Sequence, residues 1–273
     1  MAFSPEWLAL REPADHAARS AAVTRAAIDA LRRSARPRIL DLAAGTGSNL
    51  RYLTDRIGAA DWLLVDHDRA LLAQVPAAHG VETRCLDLAM LADRSIFDGR
   101  ALVTASALLD LVSEAWMRTL AARCGEAGAA MLFALTYDGR IECAPADPDD
   151  GLVAVLVNAH QRTDKGFGPA LGPDATDCAA RCFESLGYRV ERGRSDWVLS
   201  PASHDLQRQL IDGWAHAAAD IAPEKAATIA AWRRRRLAHV DALRSHIIVG
   251  HEDMAAILKS EDVRIRGFKD LGI

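Results

Sequence analysis

Asp41, Gly45 and Gly47 are the first residues in this chain whose types and spacing could do chemistry together. They fall in the stretch Pro37-Arg-Ile-Leu-Asp-Leu-Ala-Ala-Gly-Thr-Gly-Ser-Asn-Leu-Arg-Tyr52. Residues 38–42 are a short apolar run carrying an acid, residues 43–47 are small, and residues 48–57 have helical spacing, so the segment reads as strand, tight turn and helix. Glycines in such a turn let a ligand approach bare backbone, and the helix that follows offers unpaired N–H groups. The dinucleotide fingerprint needs a third Gly where this chain has Leu50, and a P-loop needs a Lys that does not follow Gly47. A carboxylate at position 41 would repel a phosphate, whereas it accepts hydrogen bonds from a cationic amino group. The chemistry implied is the binding of a small ligand that carries positive charge.

A second acid stands one strand-helix-strand step further on. Asp61-Trp-Leu-Leu-Val-Asp66 reads as a buried strand ending in a carboxylate. An ionised Asp is acceptor-only and can take both hydroxyls of a ribose, which assigns Asp66 to a sugar. Asp68 reads instead as the N-cap of the next helix. His67, between them, either lines the nucleoside pocket or is an exposed loop residue.

The run Asp41-Leu-Ala-Ala-Gly-Thr-Gly47 resembles motif I of the class I S-adenosylmethionine-dependent methyltransferases, with Ala43 where the first Gly is usual. The resemblance covers residues 37–136 well and residues 173–199 and 245–251 loosely. It implies an α/β, Rossmann-like, doubly wound fold whose seven-stranded sheet is mostly parallel with its last strand antiparallel. It also implies S-adenosyl-L-methionine as cofactor. Asp41, Ala43, Gly45 and Gly47 would form its turn, and Asp66 and His67 would lie at the ribose. Asp87 would accept from the adenine amine, with the Leu88 N–H toward a ring nitrogen, and Ser106 would face the methyl group. Asp87 has a second reading as the N-cap of residues 88–91.

These residues require elements to hold them. Further strands are expected at residues 81–86, 100–105 and 129–136, then a bent strand at 188–194 and 196–199, and a last one at 245–250. One domain over residues 1–273 is expected. Its parts are an N-terminal helical cover (1–36), a cofactor-binding core (37–136), an insertion or lid (137–172) and a helical insertion (203–244). The cover is expected to hold one helix from about Asp15 to Ser34, packing through Ala17, Ala21, Ile28 and Leu31. The tail from His251 carries no signal.

Methyl transfer from a sulfonium is a direct displacement, so the protein must mainly align the partners in a dry pocket. In an open parallel sheet the segment Ser106 to Asp110 faces that crevice, which makes Asp110 a substrate-binding candidate. The segment lacks an Asn-Pro-Pro-Tyr signature and a metal-binding acid pattern, so a small-molecule acceptor and no metal are expected. Residues 160–173 form a polar, Gly- and Pro-rich loop of the kind that carries function. His160, Asp164 and Lys165 are expected to form or close the acceptor pocket, with Tyr137 on the opposite wall. His160 is the first choice as general base and His246 the second. The run Arg233 to Arg236 reads as a solvated face, the alternative being an anionic partner.

Composition bounds the partners. A formal net charge of -4 with mixed signs along the chain argues against nucleic acid and anionic membranes. The absence of a long apolar run and of a signal-peptide pattern points to a soluble cytoplasmic protein. Cys85, Cys124, Cys143, Cys178 and Cys182 are scattered, and no Cys-x-x-Cys or His-Glu-x-x-His occurs. Competing readings are a cofactor-binding scaffold without transfer, a protein methyltransferase, and a nicotinamide oxidoreductase, the last disfavoured by Leu50 and Asp41. No signal for an oligomeric state is present.

Overall fold

The apolar runs of the first half become strands of one sheet because both of their faces are covered. The computed structural model of the chain describes residues 4–31, 34–89 and 91–258. In chain order it holds α1 (Pro5–Ala18), α2 (Ala21–Asp29), β1 (Arg38–Leu42), α3 (Ser48–Ile57), β2 (Asp61–Asp66), α4 (Arg69–Leu72), β3 (Val81–Cys85) and β4 (Leu102–Ser106). There follow α5 (Glu114–Ala127), β5 (Ala130–Ala144), α6 (Asp150–Gln161), α7 (Ala175–Ser185), β6 (Tyr188–Arg194), β7 (Trp197–Leu199), α8 (His204–Ile221), α9 (Ala226–Asp241) and β8 (His246–Leu258). Along β1, Leu40 and Leu42 enter one core with Leu63, Val103 and Phe133, while Ile39 enters another with Leu64, Leu102, Val23 and Leu53. This alternation into two buried layers is what a parallel sheet sandwiched by helices demands.

The sheet order is β3-β2-β1-β4-β5-β8-β6, with β7 also on β8. β1 to β5 pair in parallel, and β8 runs antiparallel to β5, β6 and β7. β6 and β7 share one edge position, bent between them, as the sequence suggests. The order reverses between β1 and β4, which opens a crevice above their C-terminal ends.

The cover differs from expectation. Instead of one helix from Asp15 to Ser34, two helices meet at Arg19 and Ser20. The Ser20 hydroxyl accepts the Val23 N–H, and the Ser20 N–H donates to the Asp253 carboxylate at 2.8 Å. A local cap and a distant acceptor together outweigh helical continuity. The buried face is Val23, Ala27 and Leu31, whereas Ala17 and Ala21 are exposed. Residues 32–33 of the expected helix lie outside the described residues. Ser20→Ala should cost about 1 kcal/mol, read as a lower urea midpoint at unchanged slope.

Two strands are longer than expected. β5 passes Thr136 to reach Ala144 and β8 passes Gly250 to reach Leu258, so the two pair from Met131 with Ala256 to Ala144 with His246. This ribbon extends beyond the parallel strands. Against it, Val153, Leu156, Trp214, Ile229 and Trp232 from α6, α8 and α9 pack with Ala134, Trp197 and Ile247. The two insertions therefore form one helical layer.

That layer corrects the reading of Arg233 to Arg236 as a solvated face at Arg236, while Arg234 and Arg235 are exposed as expected. Arg236 is fully buried, donates to Asp150 Oδ1 at 2.9 Å and to the Pro145 carbonyl at 2.6 Å, and Arg235 grips Asp147 and Asp149. Arg233 donates to Asp212. Arg235 and Arg236 clamp α9 to the start of α6. Among the described residues no helix is long and apolar enough to cross a membrane.

Candidate functional site

Asp41 lies at the tip of β1 with no exposed surface, and its Oδ1 accepts from Asn49 Nδ2 at 3.0 Å. The same amide donates to Thr104 Oγ1 on β4, and that hydroxyl donates to the Leu132 carbonyl on β5. Among the described residues Asp41 Oδ2 has no hydrogen-bond partner. Burial pushes this carboxyl up to about 7, against the pull of the Asn49 hydrogen bond and the Arg19 charge.

The backbone around it is constrained. Ala43, Ala107 and Leu135 all hold positive φ, at 52°, 53° and 55°, just beyond β1, just beyond β4 and within β5. Left-handed backbone costs a non-Gly residue roughly 1–2 kcal/mol, and such residues gather at ligand sites. Gly45 and Gly47 also have positive φ, and the Gly45 N–H donates to Asp66 Oδ2 at 2.8 Å. Asp66 Oδ1 accepts the Asp68 N–H at 2.9 Å and lies 3.2 Å from His67 Nδ1. Asp66 thus ties the two strand tips together, and a carboxylate's four lone-pair directions leave room for further donors.

The remaining expected residues sit as follows. His67 is exposed, and Asp68 caps α4 through the Ala70 and Leu71 N–H groups. Asp87 is exposed and accepts the Ala89 N–H at 2.8 Å, a turn contact that leaves its second oxygen available. Met90, within the alternative capped segment 88–91, lies outside the described residues. The Leu88 carbonyl accepts from Trp116 Nε1. Ser106 ends β4, and Asp110 lies buried in the short 3-10 turn Leu109–Leu111. Burial pushes the Asp110 carboxyl up to about 6, opposed by hydrogen bonds from its own N–H and that of Tyr137 and by the Arg11 charge. Its Oδ1 has no hydrogen-bond partner among the described residues.

α1 packs against the turn after β1 and the start of α3. Leu8 Cδ1 stands 3.2 Å from where a Cβ on Gly45 would be. His16 Nε2 meets Ser48, Glu12 pairs with Arg51, and Arg19 Nη1 donates to Asn49 Oδ1 at 2.9 Å. Arg11 makes two hydrogen bonds to Asp15, which accepts from Trp197 Nε1 at 3.0 Å. α1 is thereby fastened to both sides of the motif.

His160 and Lys165 meet: Lys165 Nζ lies 3.3 Å from His160 Nδ1 and donates to the His160 carbonyl and to Thr163 Oγ1, while Asp164 accepts the N–H groups of Gly166 and Gly168 within the same loop. The His160 ring faces Asp220 of α8 at 3.9 Å. The Tyr137 hydroxyl donates to Asn158 at 2.8 Å, and its ring meets His251. No hydrogen bond or ring contact joins His160 to Tyr137 among the described residues. The loop does reach the crevice rim: the Leu171 N–H donates to the Val112 carbonyl at 2.8 Å, and Phe167 packs edge-on to Trp116. His246, the second choice as base, is exposed at the start of β8.

Arg11, Arg19, Trp197, His251 and Asp253 were not legible as site residues. They come from α1, the edge strand and the far part of β8. Neither spacing nor local pattern joins them; the pairing of β7 with β8 and the packing of α1 and Arg19 against those strands do.

No family model matches the chain, and no curated protein matches it. Among solved structures, the cyclopropane synthase MmaA2 from Mycobacterium tuberculosis aligns over 93% of this chain and 94% of its own, with a TM-score of 0.50 at 10% sequence identity. The chain has the class I methyltransferase fold. The strand order and the antiparallel β8 belong to that fold. Two further likenesses are weaker and add nothing to the argument. The YcgJ protein from Bacillus subtilis has a TM-score of 0.49 at 11% identity, over 88% of this chain and 100% of that one. A SAM-dependent methyltransferase from Geobacter sulfurreducens, solved with S-adenosylhomocysteine, has 0.47 at 18% identity, over 95% and 100%.

Proposed function

We propose that the chain is an S-adenosyl-L-methionine-dependent methyltransferase acting on a small-molecule acceptor. The observation that carries this reading is Asp41 Oδ2, a fully buried carboxylate oxygen without a hydrogen-bond partner among the described residues, beside the Gly45–Gly47 turn. A buried orphan of this kind calls for a donor, and a cationic amino group supplies one with matching charge. The residues fit the cofactor. Asp41 would hold the amino group, Asp66 the ribose hydroxyls and Asp87 the adenine amine, with the backbone of Ala43 to Gly47 beneath, His67 and Leu88 flanking the nucleoside and Ser106 near the reacting carbon.

When bound, that cofactor supplies an electrophilic methyl group on a sulfonium. The chain aligns the acceptor and excludes water. α1 roofs the turn through Leu8, and the loop ending at Leu171 closes the opposite rim. Asp110 and Tyr137 would form the acceptor wall, with Asp110, buried after β4 and with its Oδ1 unpartnered among the described residues, as the group to receive a proton. His160, Asp164 and Lys165 would hold the rim loop closed.

Calorimetry with S-adenosylhomocysteine tests the cofactor. Incubation with methyl-labelled donor and a metabolite extract tests the transfer. Micromolar binding and label in a small molecule are expected; a protein that ignores both compounds would end this reading.

A further inference from the structure

We infer that β3 pairs edge to edge with β3 of a second copy of this chain, antiparallel and centred on Thr83, giving a two-fold dimer whose sheet runs through both copies. β3 stands last in the strand order, and among the described residues no strand lies on its outer edge. The ladder to β2 fixes which backbone groups that edge presents. The Gly80 carbonyl accepts the Trp62 N–H at 2.6 Å, and the Leu86 N–H donates to the Asp66 carbonyl at 2.9 Å, with Glu82 level with Leu63 and Arg84 with Val65. Peptide direction alternates along a strand, so Glu82 and Arg84 turn their backbone groups to β2 while Val81, Thr83 and Cys85 turn theirs outward. The Val81 N–H is taken by the Ala78 carbonyl at 3.1 Å. The Thr83 and Cys85 N–H groups and the Val81, Thr83 and Cys85 carbonyls make no hydrogen bond outside the sheet among the described residues.

An open edge accepts a strand of any origin; charge selects a second copy of this one. With Thr83 opposite Thr83, Cys85 stands opposite Val81 and Glu82 opposite Arg84, twice over by symmetry. The outward groups then meet. Each Thr83 N–H reaches the other copy's Thr83 carbonyl, and each Cys85 N–H reaches the other copy's Val81 carbonyl. Glu82 and Arg84 fall at the positions without hydrogen bonds, where opposed Cα atoms come within about 4.5 Å and side chains are closest. The neighbouring registers that keep the same outward groups bonded set Glu82 against Glu82 or Arg84 against Arg84. Like charges directly opposite oppose pairing, so the charge pattern admits only the register centred on Thr83.

The side chains are free to make these contacts. Within one copy Arg84 meets Glu82 at 3.3 Å and Asp93 at 3.4 Å, and Glu82 and Arg84 are both well exposed, so each can turn to the other copy. Thr83 and Cys85 are exposed, and no Pro, Lys or bulge blunts the strand. Facing threonines and a facing valine and cysteine are pairs that support a ladder. A contact built on one strand of five residues is small, which places the association in the weak, micromolar class.

The test is sedimentation equilibrium of the full chain in reductant, without added ligand, from low micromolar to near-millimolar concentration. Wild type should pass from monomer to dimer mass across that range. Glu82→Arg and Arg84→Glu, each with the circular dichroism spectrum of wild type, should weaken self-association at least about tenfold, because each sets like charges across both symmetric pairs. Mixed in equal amounts, the two variants should form a one-to-one heterodimer of about wild-type strength, since one copy then brings two arginines and the other two glutamates. Misfolding cannot produce that recovery. Independently of charge, Thr83→Cys in a Cys85→Ser background should cross-link to a dimer under mild oxidation, because opposed hydrogen-bonded positions lie about 5.5 Å apart at Cα, within disulfide reach. A wild type that stays monomeric, leaving the edge to a foreign strand or to none, would overturn the proposal. So would a dimer indifferent to either charge reversal, or reversed variants that remain monomeric when mixed. No cofactor enters the measurement, so the methyl-transfer reading stands or falls separately.

Discussion

Asp41→Asn is expected to weaken S-adenosylmethionine and S-adenosylhomocysteine by roughly 30- to 150-fold while making the free protein more stable than wild type at pH 8. The loss in affinity is the 2–3 kcal/mol of a charge-assisted hydrogen bond to a cationic amino group. The gain in stability comes from the same burial that makes the residue useful. In the free protein the Asp41 carboxyl sits at about 7, above its ordinary 3.8, because its charged form is cut off from water. For an acid shifted upward the penalty is absent below pH 3.8, grows between 3.8 and 7, and is complete above 7. The amide carries no such penalty and keeps an oxygen for Asn49 Nδ2. Its advantage should therefore be about 2 kcal/mol at pH 8 and vanish near pH 4.

Cofactor binding should follow the same group. A cationic ligand selects the ionised carboxylate, so wild-type affinity should drop about tenfold from pH 8 to pH 6, with proton release below pH 7. In Asp41→Asn that dependence should disappear. Melting curves and calorimetry across this range check both halves. A variant that binds as wild type does, or one that is less stable at pH 8 than at pH 5 relative to wild type, would show that Asp41 is only a structural acid.

The part of this design that was readable in the sequence is the part made of short-range pattern. β1, β2 and β4 are buried on both faces, so they appear as unbroken apolar runs, and the turn after β1 announces itself through Gly45 and Gly47. Asp68 was legible as a cap because a cap depends on residues two and three positions away. α1 was placed too late, since its buried position is Asp15, Arg19 just beyond it is buried too, and its interior holds Pro13, which hides the apolar face of Trp7, Leu10 and Ala14. The extension of β5 runs through Asp138, Gly139 and Arg140, and that of β8 through Glu252 and Asp253, where polar residues interrupt the alternation. Arg236 reads as one charge among four until Asp150, far away in sequence, is brought beneath it. The crevice floor is thus written locally, whereas its roof and its acceptor side are written in pairings across the whole chain.

The strongest of those pairings predicts the largest loss of stability. Asp253→Ala should lower unfolding free energy by about 3–5 kcal/mol, because it removes the partner of three groups at once. Asp253 has no exposed surface; its Oδ1 accepts the Leu135 N–H and its Oδ2 the Ser20 N–H, each at 2.8 Å, and Arg19 Nε lies 3.4 Å away. The alanine would leave two backbone donors and one buried guanidinium without that acceptor, and the left-handed turn at Leu135 without the bond that holds it. At about 2–4 °C per kcal/mol for a chain of this size, the melting temperature should fall by about 6–20 °C. Asp253→Asn separates the contributions: its carbonyl oxygen can keep one N–H while its amide opposes Arg19, so a smaller loss is expected. Since Arg19 also grips Asn49, and Asn49 orients Asp41, the alanine variant should bind S-adenosylhomocysteine more weakly even at temperatures where it is fully folded. Unchanged affinity in the folded variant would mean that the link from β8 through α1 to the β1 tip fastens the cover without shaping the site.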